Sequence, residues 1–255
     1  MELDGQTKVR KEGEETHSAA AGRILQFIRD RRYEPLERLP SERELAEKFK
    51  MGRGAIREAL SALEALRVVE RRPNSGIYLR NLDERSFEAL VLHAQAGLSL
   101  DRNEILDAIE VRRLLEVEAV KLACQRRTEA DVEKIRDILR RMKEKIRIKE
   151  TIEEEDLQFH LSIAAASKNE ILSRIVNTFF EISEHRRKIY FSYKGRSRLS
   201  YDEHAAIFDA LVDRNKDLAG DLMNQHLTTA AEAWAGLLGD ASLAGLGRVE
   251  TGKTG

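Results

Sequence analysis

A chain of 255 residues with 42% hydrophobic and 35% charged side chains can bury a sizeable core and still present a highly charged surface. A single cysteine excludes a disulfide framework within the chain, and no apolar run reaches the ~18 residues that span a bilayer. The start, "MELDGQTKVRKEGEETH", is too polar and acidic for a secretory leader, so a cytoplasmic protein is expected.

The net charge of −1 hides an asymmetry. Residues 18–80 hold 14 Lys and Arg against 9 Asp and Glu, while both flanking segments are acidic. A basic module on an acidic chain points to a polyanionic partner. Only three prolines, 5% aromatics and abundant Ala, Leu, Glu and Arg favour helices.

Residues 1–17 read as a disordered tail. "HSAAAGRILQFIRDRRY" follows as an amphipathic helix with Ala21, Ile24, Leu25 and Ile28 on one face. In "LPSERELAEKF", Pro40 stops the preceding chain, Ser41 is an N-cap, and Glu44 completes a capping box, which predicts a helix over 41–49. Gly52 is read as the tight turn after it.

The next helix, "RGAIREALSALEALR", buries Ile56, Leu60 and Leu63 and shows Arg53, Arg57, Ser61 and Glu64 on its other face. "VVERRPNSGIYLR" then reads as a hairpin turning at Pro73, Asn74, Ser75 and Gly76. Helix, helix-turn-helix and hairpin over 18–80 make a winged helix-turn-helix.

Such a module lays its second helix in the DNA major groove, N-terminal residues first. Arg53 and Arg57 lie one turn apart, and arginine suits the two acceptors of guanine. Ser61 shares their face, Arg43 is placed for phosphate or base contact, and Asn74, Ser75 and Gly76 of the wing face the backbone or minor groove. Each arginine alone is as well read as a solvated charge; clustered on one winged module, they favour DNA.

Residues 81–100 read as a linker carrying a short helix, with His93 packed on its apolar face. From 101 to 238 the pattern is all helix, near 103–125, 128–149, 151–167, 169–191, 197–214 and 215–238, which predicts an antiparallel bundle. "RDILRRMKEKIRIKE" is a solvated face, Cys124 a small buried hydrophobe, and 239–255 a flexible tail.

"EEDLQFHLSIAAA" places Asp156, His160 and Ile163 on one apolar helix face. His204, in "YDEHAAIFDAL", and His226, in "LMNQHLTTAA", also stand beside apolar residues at helical spacing. Three imidazoles and a carboxylate meeting at a bundle centre would suit a divalent transition metal. The alternative is four separate, hydrogen-bonded core residues.

"LPSERELAEKFKMGRGAIREALSALEALRVVERRPNSGIYL", over Leu39–Leu79, strongly resembles the N-terminal domain of GntR-family bacterial transcription regulators. The resemblance implies that Arg43, Arg53, Arg57 and Gly76 contact operator DNA. The chain departs from the family at Met51-Gly52 and Gly54, where relatives commonly carry a hydroxyl residue and then Thr or Pro. It departs again at Asn74-Ser75, where relatives often have Gly-Arg.

Residues 101–238 are similar to the FCD effector domain of the FadR subfamily, through "DLQFHLSIAAASKNEIL", "EHAAIFDAL" and "NQHLTTA". This implies that Asp156, His160, His204 and His226 hold zinc or nickel beside a small carboxylate effector. Members without the metal set bind acyl-CoA instead.

"EVRRLLEVEAVKLA" matches a further motif that implies a pocket-facing Arg112, able to clamp a carboxylate; an ion pair with Glu116 is the alternative. Asn169 is read as a helix cap, and His185, Arg186 and Arg187 as surface, with lining of the pocket as the alternative. The expectation is a non-enzymatic, two-fold dimeric repressor that reads a palindromic operator and releases it on binding an organic or sugar acid. The rivals are a metal sensor without organic effector and a helical-bundle metalloenzyme.

Overall fold

The computed structural model describes residues 19–98, 100 and 102–239. The tail expected over 1–17 lies outside them, as does that expected over 239–255 except Gly239, which still ends a helix. The chain is mainly α and divides into two compact units, 1–100 and 101–255. Among the described residues no helix is long and apolar enough to cross a membrane.

The first unit runs through α1 (19–30), β1 (Arg38–Leu39), α2 (Glu42–Phe49), α3 (Arg53–Ala65), β2 (Val69–Arg72) and β3 (Gly76–Leu79). Its helices pack Ile24, Leu25, Leu45, Ile56, Leu60 and Leu63 into one core, the apolar stripes their 3.6-residue periods prescribe. The α2 capping box forms in full: the Ser41 hydroxyl accepts from the Glu44 amide at 3.3 Å, and the Glu44 carboxylate accepts from the Ser41 amide at 2.8 Å.

Two local details differ from expectation. Lys50, at φ +54°, makes the turn after α2, while Gly52 caps α3 at an ordinary φ of −64°. The hairpin also gains a third strand, in the order β1-β3-β2, with Arg38 opposite Tyr78 and Arg71 opposite Ile77. A two-residue strand beside Pro40 is too short to leave a periodic signal.

Residues 81–100 form a 3₁₀ turn (Leu82–Glu84) and then α4 (Glu88–Gln95), separated by extended Arg85. This segment belongs to the first unit: Ala89 and Leu98 join its core, and a Cβ on Gly22 would lie 3.2 Å from that of Ala96. His93 is half-buried 3.3 Å from the Ala89 carbonyl, and burial together with Arg85 pushes its pKa down.

The second unit holds α5 (Arg102–Arg126), α6 (Glu129–Arg147), α7 (Glu153–Ala166), α8 (Glu170–Ser192), α9 (Arg196–Val212) and α10 (Lys216–Gly239). Helix α5 packs on α10 and α7, and α6 on α7 and α9, so the bundle joins helices that are not consecutive in the chain. Val120, Cys124, Ile138, Met142, Phe159 and Leu211 lie in one core. Burial pushes the Cys124 thiol pKa up, as for a small inert hydrophobe.

Two arginines close helix ends reciprocally. Arg127, after α5, donates to the Leu211 and Val212 carbonyls that end α9, at 3.2 and 2.7 Å. Arg214, after α9, donates to the Cys124 and Gln125 carbonyls that end α5, at 2.9 and 3.1 Å. Asn169 caps α8 through the Leu172 amide at 3.1 Å.

Thr128 and Asp131 form the capping box of α6, and Lys168 pairs with Asp131 at 2.6 Å. Partial burial raises the Asp131 pKa, but Lys168 and the Thr128 hydrogen bonds outweigh it, leaving a folded value below the usual 3.8. A depressed folded pKa adds stability above the unfolded value, lost as pH falls through the folded one. Asp131→Asn should therefore lower stability by about 1 kcal/mol at pH 7. In urea unfolding the gap between variant and parent should close as pH falls below about 4.

Candidate metal centre and nucleic-acid interface

Helix α3 starts at Gly52 with no side-chain cap and no acid in its first turn. Its first amides and the positive end of its dipole are therefore available to an anion. Arg53 and Arg57 are exposed one turn apart, and among the described residues neither guanidinium has an ion pair. Arg43, exposed at the start of α2, has only a loose 3.9 Å contact with Glu47.

Ser61 is committed elsewhere. Its hydroxyl donates to the Arg57 carbonyl at 2.9 Å and accepts from Arg71 at 3.1 Å. Arg71 on β2 also donates to the Arg57 carbonyl at 2.8 Å and pairs with Glu64 at 3.4 Å and Glu42 at 3.6 Å. One side chain thus joins the wing to α2 and α3.

At the wing tip Asn74 adopts φ +57° and Gly76 φ +138°. A Cβ at Gly76 would meet the flexible Arg38 side chain, Nε at 2.7 Å, which can shift, so it is the backbone angle that requires glycine. The Ser75 hydroxyl lies 2.7 Å from that of Tyr78, over whose ring Arg72 rests at 4.3 Å.

In the second unit, Asp156 and His160 (α7), His204 (α9) and His226 (α10) converge, all buried, their ligand atoms within 4.8 Å of one another. Asp156 sits in the acidic first turn of α7, where the helix dipole favours a carboxylate. His226 Nε2 lies 3.2 Å from His204 Nε2 and 3.3 Å from His160 Nε2. Asp156 Oδ1 lies 3.6 Å from His204 Nε2 and 3.8 Å from His160 Nε2.

The other ring nitrogens explain this convergence. His160 Nδ1 meets Glu116 at 2.5 Å, and His226 Nδ1 meets Glu203 at 2.6 Å. A carboxylate on Nδ1 fixes the proton there and leaves the Nε2 lone pair facing inward. Lone pairs aimed at one another repel unless a cation lies between them. Donors 2.0–2.2 Å from one tetrahedrally held ion stand about 3.3–3.6 Å apart, close to the 3.2–3.8 Å of these four pairs, so the donor set fits a divalent metal after small shifts.

His204 Nδ1 is buried without a partner, its ring stacked 4.1 Å from that of Phe159. Burial first, then His226 and His160, push its pKa well below the usual histidine value.

A cavity of about 40 Å³ is lined by Arg112, Arg186 and Arg187 and, from α8 and α10, by Phe179, Leu227 and Trp234, and is linked to the cluster through Arg112, Glu116 and His160. Arg112 both lines the cavity and pairs with Glu116. Burial raises the Glu116 pKa, but Arg112 and His160 outweigh it and hold the carboxyl down at about 2.

The expectation of surface positions fails for two residues. Arg187 is 8% exposed and donates to the Phe180 carbonyl at 2.8 Å and to Ser183 at 3.3 Å. Arg186 is half-buried, while His185 is exposed. Phe180, Ser183 and Arg187 form an inward stripe at helical spacing, overriding the usual exposure of arginine.

Residues 16–79 match the family of bacterial regulatory proteins, gntR family, and residues 107–229 the FCD domain. The HTH-type transcriptional regulator LutR of Bacillus subtilis (strain 168) is 35% identical over 215 residues, 82% of this chain and 97% of LutR. The chain belongs to the GntR family of bacterial regulators.

The FCD domain places this GntR-family protein in the FadR-type architecture, among transcription regulators and not enzymes. A putative L-lactate dehydrogenase operon regulatory protein of Escherichia coli (strain K12) is 28% identical over 82% of both chains. The structure of Lar, which controls the Listeria monocytogenes agr system, shares the fold at 19% identity and TM-score 0.62 over 84% of this chain and 94% of Lar.

Three residues escaped the sequence reading of this GntR-family chain, Arg38, Arg71 and the Glu203 that holds His226, while Glu116 was read as a partner of Arg112 and not as the carboxylate that also holds His160. Only Glu203 had a local hint, as the neighbour of His204 in "DEH". Arg71→Ala should lower stability by about 1 kcal/mol in urea unfolding. It should also speed amide exchange in β2 and β3 relative to α1, which a loss confined to the mutated side chain would not do.

Proposed function

We propose that this regulator is a homodimeric repressor of a catabolic operon, released from a palindromic operator when a small organic or sugar acid binds beside a divalent metal. The observation that carries this reading is the Asp156, His160, His204 and His226 cluster, linked through Glu116 and Arg112 to an arginine-lined cavity, in a chain that also bears a winged helix-turn-helix.

Residues 18–80 are proposed to read the DNA, 101–238 to sense the acid, and 81–100 to connect them. Arg53 and Arg57 address guanine edges in the major groove, and Arg43 and the free amides of α3 address phosphates. Asn74, Ser75 and Gly76 bring the wing backbone to the adjacent groove. Ser61 acts indirectly, through Arg71, by holding wing and α3 as one body.

Asp156, His160, His204 and His226 would hold zinc, or alternatively nickel, with Glu116 and Glu203 orienting two of the rings. When bound, that ion supplies a Lewis-acidic anchor for a carboxylate oxygen. Arg112 stands ready to grip the same group, charge-assisted and fixed in direction by Glu116.

A cavity of about 40 Å³ lined by α5, α8 and α10 holds little more than a few waters, so an acid must displace its lining to enter. That displacement couples binding to the arrangement of the dimer, as any population shift requires. Exposed Val111 and Leu114 on α5 and Ile171 and Ile175 on α8 support a second copy as the partner. The arginine-lined cavity favours an organic anion over metal as the sole signal, and the L-lactate dehydrogenase operon relative supports a small acid.

Fluorescence anisotropy with the chain's own upstream intergenic DNA tests this. Binding should weaken steeply with salt, and Arg57→Ala should weaken it about tenfold or more while leaving the fold intact. A small carboxylate should release the DNA from zinc-loaded but not chelator-treated protein. Absence of salt-sensitive binding would overturn the proposal.

A further inference from the structure

We infer that the effector is a dianion, a short dicarboxylate whose second carboxylate is taken by Arg186 and Arg187. This inference rests on the carboxylate-sensing reading above and narrows it to one chemical class.

Three guanidiniums line the cavity, and only one is matched. Arg112 has Glu116. Arg186 and Arg187 have no ion pair within the described residues. Arg187 is 8% exposed, its Nε is buried without a partner, and its other contacts, the Phe180 carbonyl and the Ser183 hydroxyl, are neutral.

Acids near Arg187 are engaged or out of reach. Asp156 belongs to the histidine cluster, Glu184 pairs with Lys188 at 2.7 Å, and Glu153 acts on Arg187 without an ion-pair contact. A buried, unmatched guanidinium is a costly arrangement unless an anion completes it.

A monocarboxylate spends its one charged group at the cluster and Arg112, leaving Arg186 and Arg187 as they are. A second carboxylate reaching them matches the excess charge with bidentate geometry. Phe179, Leu227 and Trp234 form an apolar wall suited to the carbon chain between the two groups. Arg112, Arg186 and Arg187 all line this one cavity, so a short chain suffices to join the two groups.

Trp234 is the single tryptophan of the protein and lines the cavity, so its emission reads entry of a ligand directly. The test titrates full-length zinc-loaded protein, at fixed ionic strength, with L-malate and with L-lactate. These two 2-hydroxy acids differ by a second carboxylate. Calorimetry on the same samples reads binding independently of emission.

L-malate should bind at least about tenfold more tightly than L-lactate. Arg186→Gln should bring the two affinities within about twofold of each other, mainly by weakening L-malate. Arg187→Gln should do the same if it folds; Arg186, half-buried, decides if it does not. L-lactate binding as tightly as L-malate, or a preference unchanged in Arg186→Gln, overturns the dianion inference and leaves the carboxylate reading standing. Binding of neither acid by either method overturns both.

Discussion

Everything in the second unit is organised around three imidazole lone pairs and one carboxylate oxygen packed into a buried centre. His226 Nε2 approaches His204 Nε2 to 3.2 Å and His160 Nε2 to 3.3 Å. Glu116 and Glu203 hold the protons of two of these rings on the far side. Such a centre is destabilising as a set of bare donors and strongly stabilising around a cation. Six side chains from α5, α7, α9 and α10 are thereby committed to one point, so the geometry of the bundle depends on what fills its middle.

The arginine cavity follows from the same arrangement. Glu116 serves His160 with one oxygen and Arg112 with the other, so the cation side of the cavity is mechanically linked to the cluster. Anything that pulls on Arg112 pulls on a ring of the cluster. In the first unit Arg71 plays the comparable role, binding α2, α3 and the wing into one rigid reader. Each unit thus converges on a single polar hub, and each hub is made by contacts distant in sequence.

That distance separates what was legible in the sequence from what was not. The Ser41–Glu44 box and the apolar stripes of α1 and α3 are local, and local spacing reveals such features directly. Asp156 and His160 share a helix face for the same reason. The turn at Lys50 escaped because a lysine in the left-handed region carries no composition signal, while the neighbouring Gly52 does. Strand β1 is two residues long, and the interruption at Arg85 sits in a polar stretch that reads equally well as helix. Arg186 and Arg187 were misjudged because charge predicts exposure, and only the packing of Phe180 and Ser183 turns that stretch of α8 inward. Meeting of His204 and His226 with α7 was suggested by family resemblance, and Glu203 and Glu116 became visible only once the rings were placed.

The central claim is that this donor set is built around a divalent ion. The most direct measurement is metal content together with thermal unfolding, before and after exhaustive chelation. The account predicts about one transition-metal ion per chain, a melting temperature that falls by many degrees on its removal and recovers on adding one equivalent of zinc, and loss of both metal and shift in His226→Ala. Protein purified without metal, melting identically with or without chelator and zinc, would contradict it.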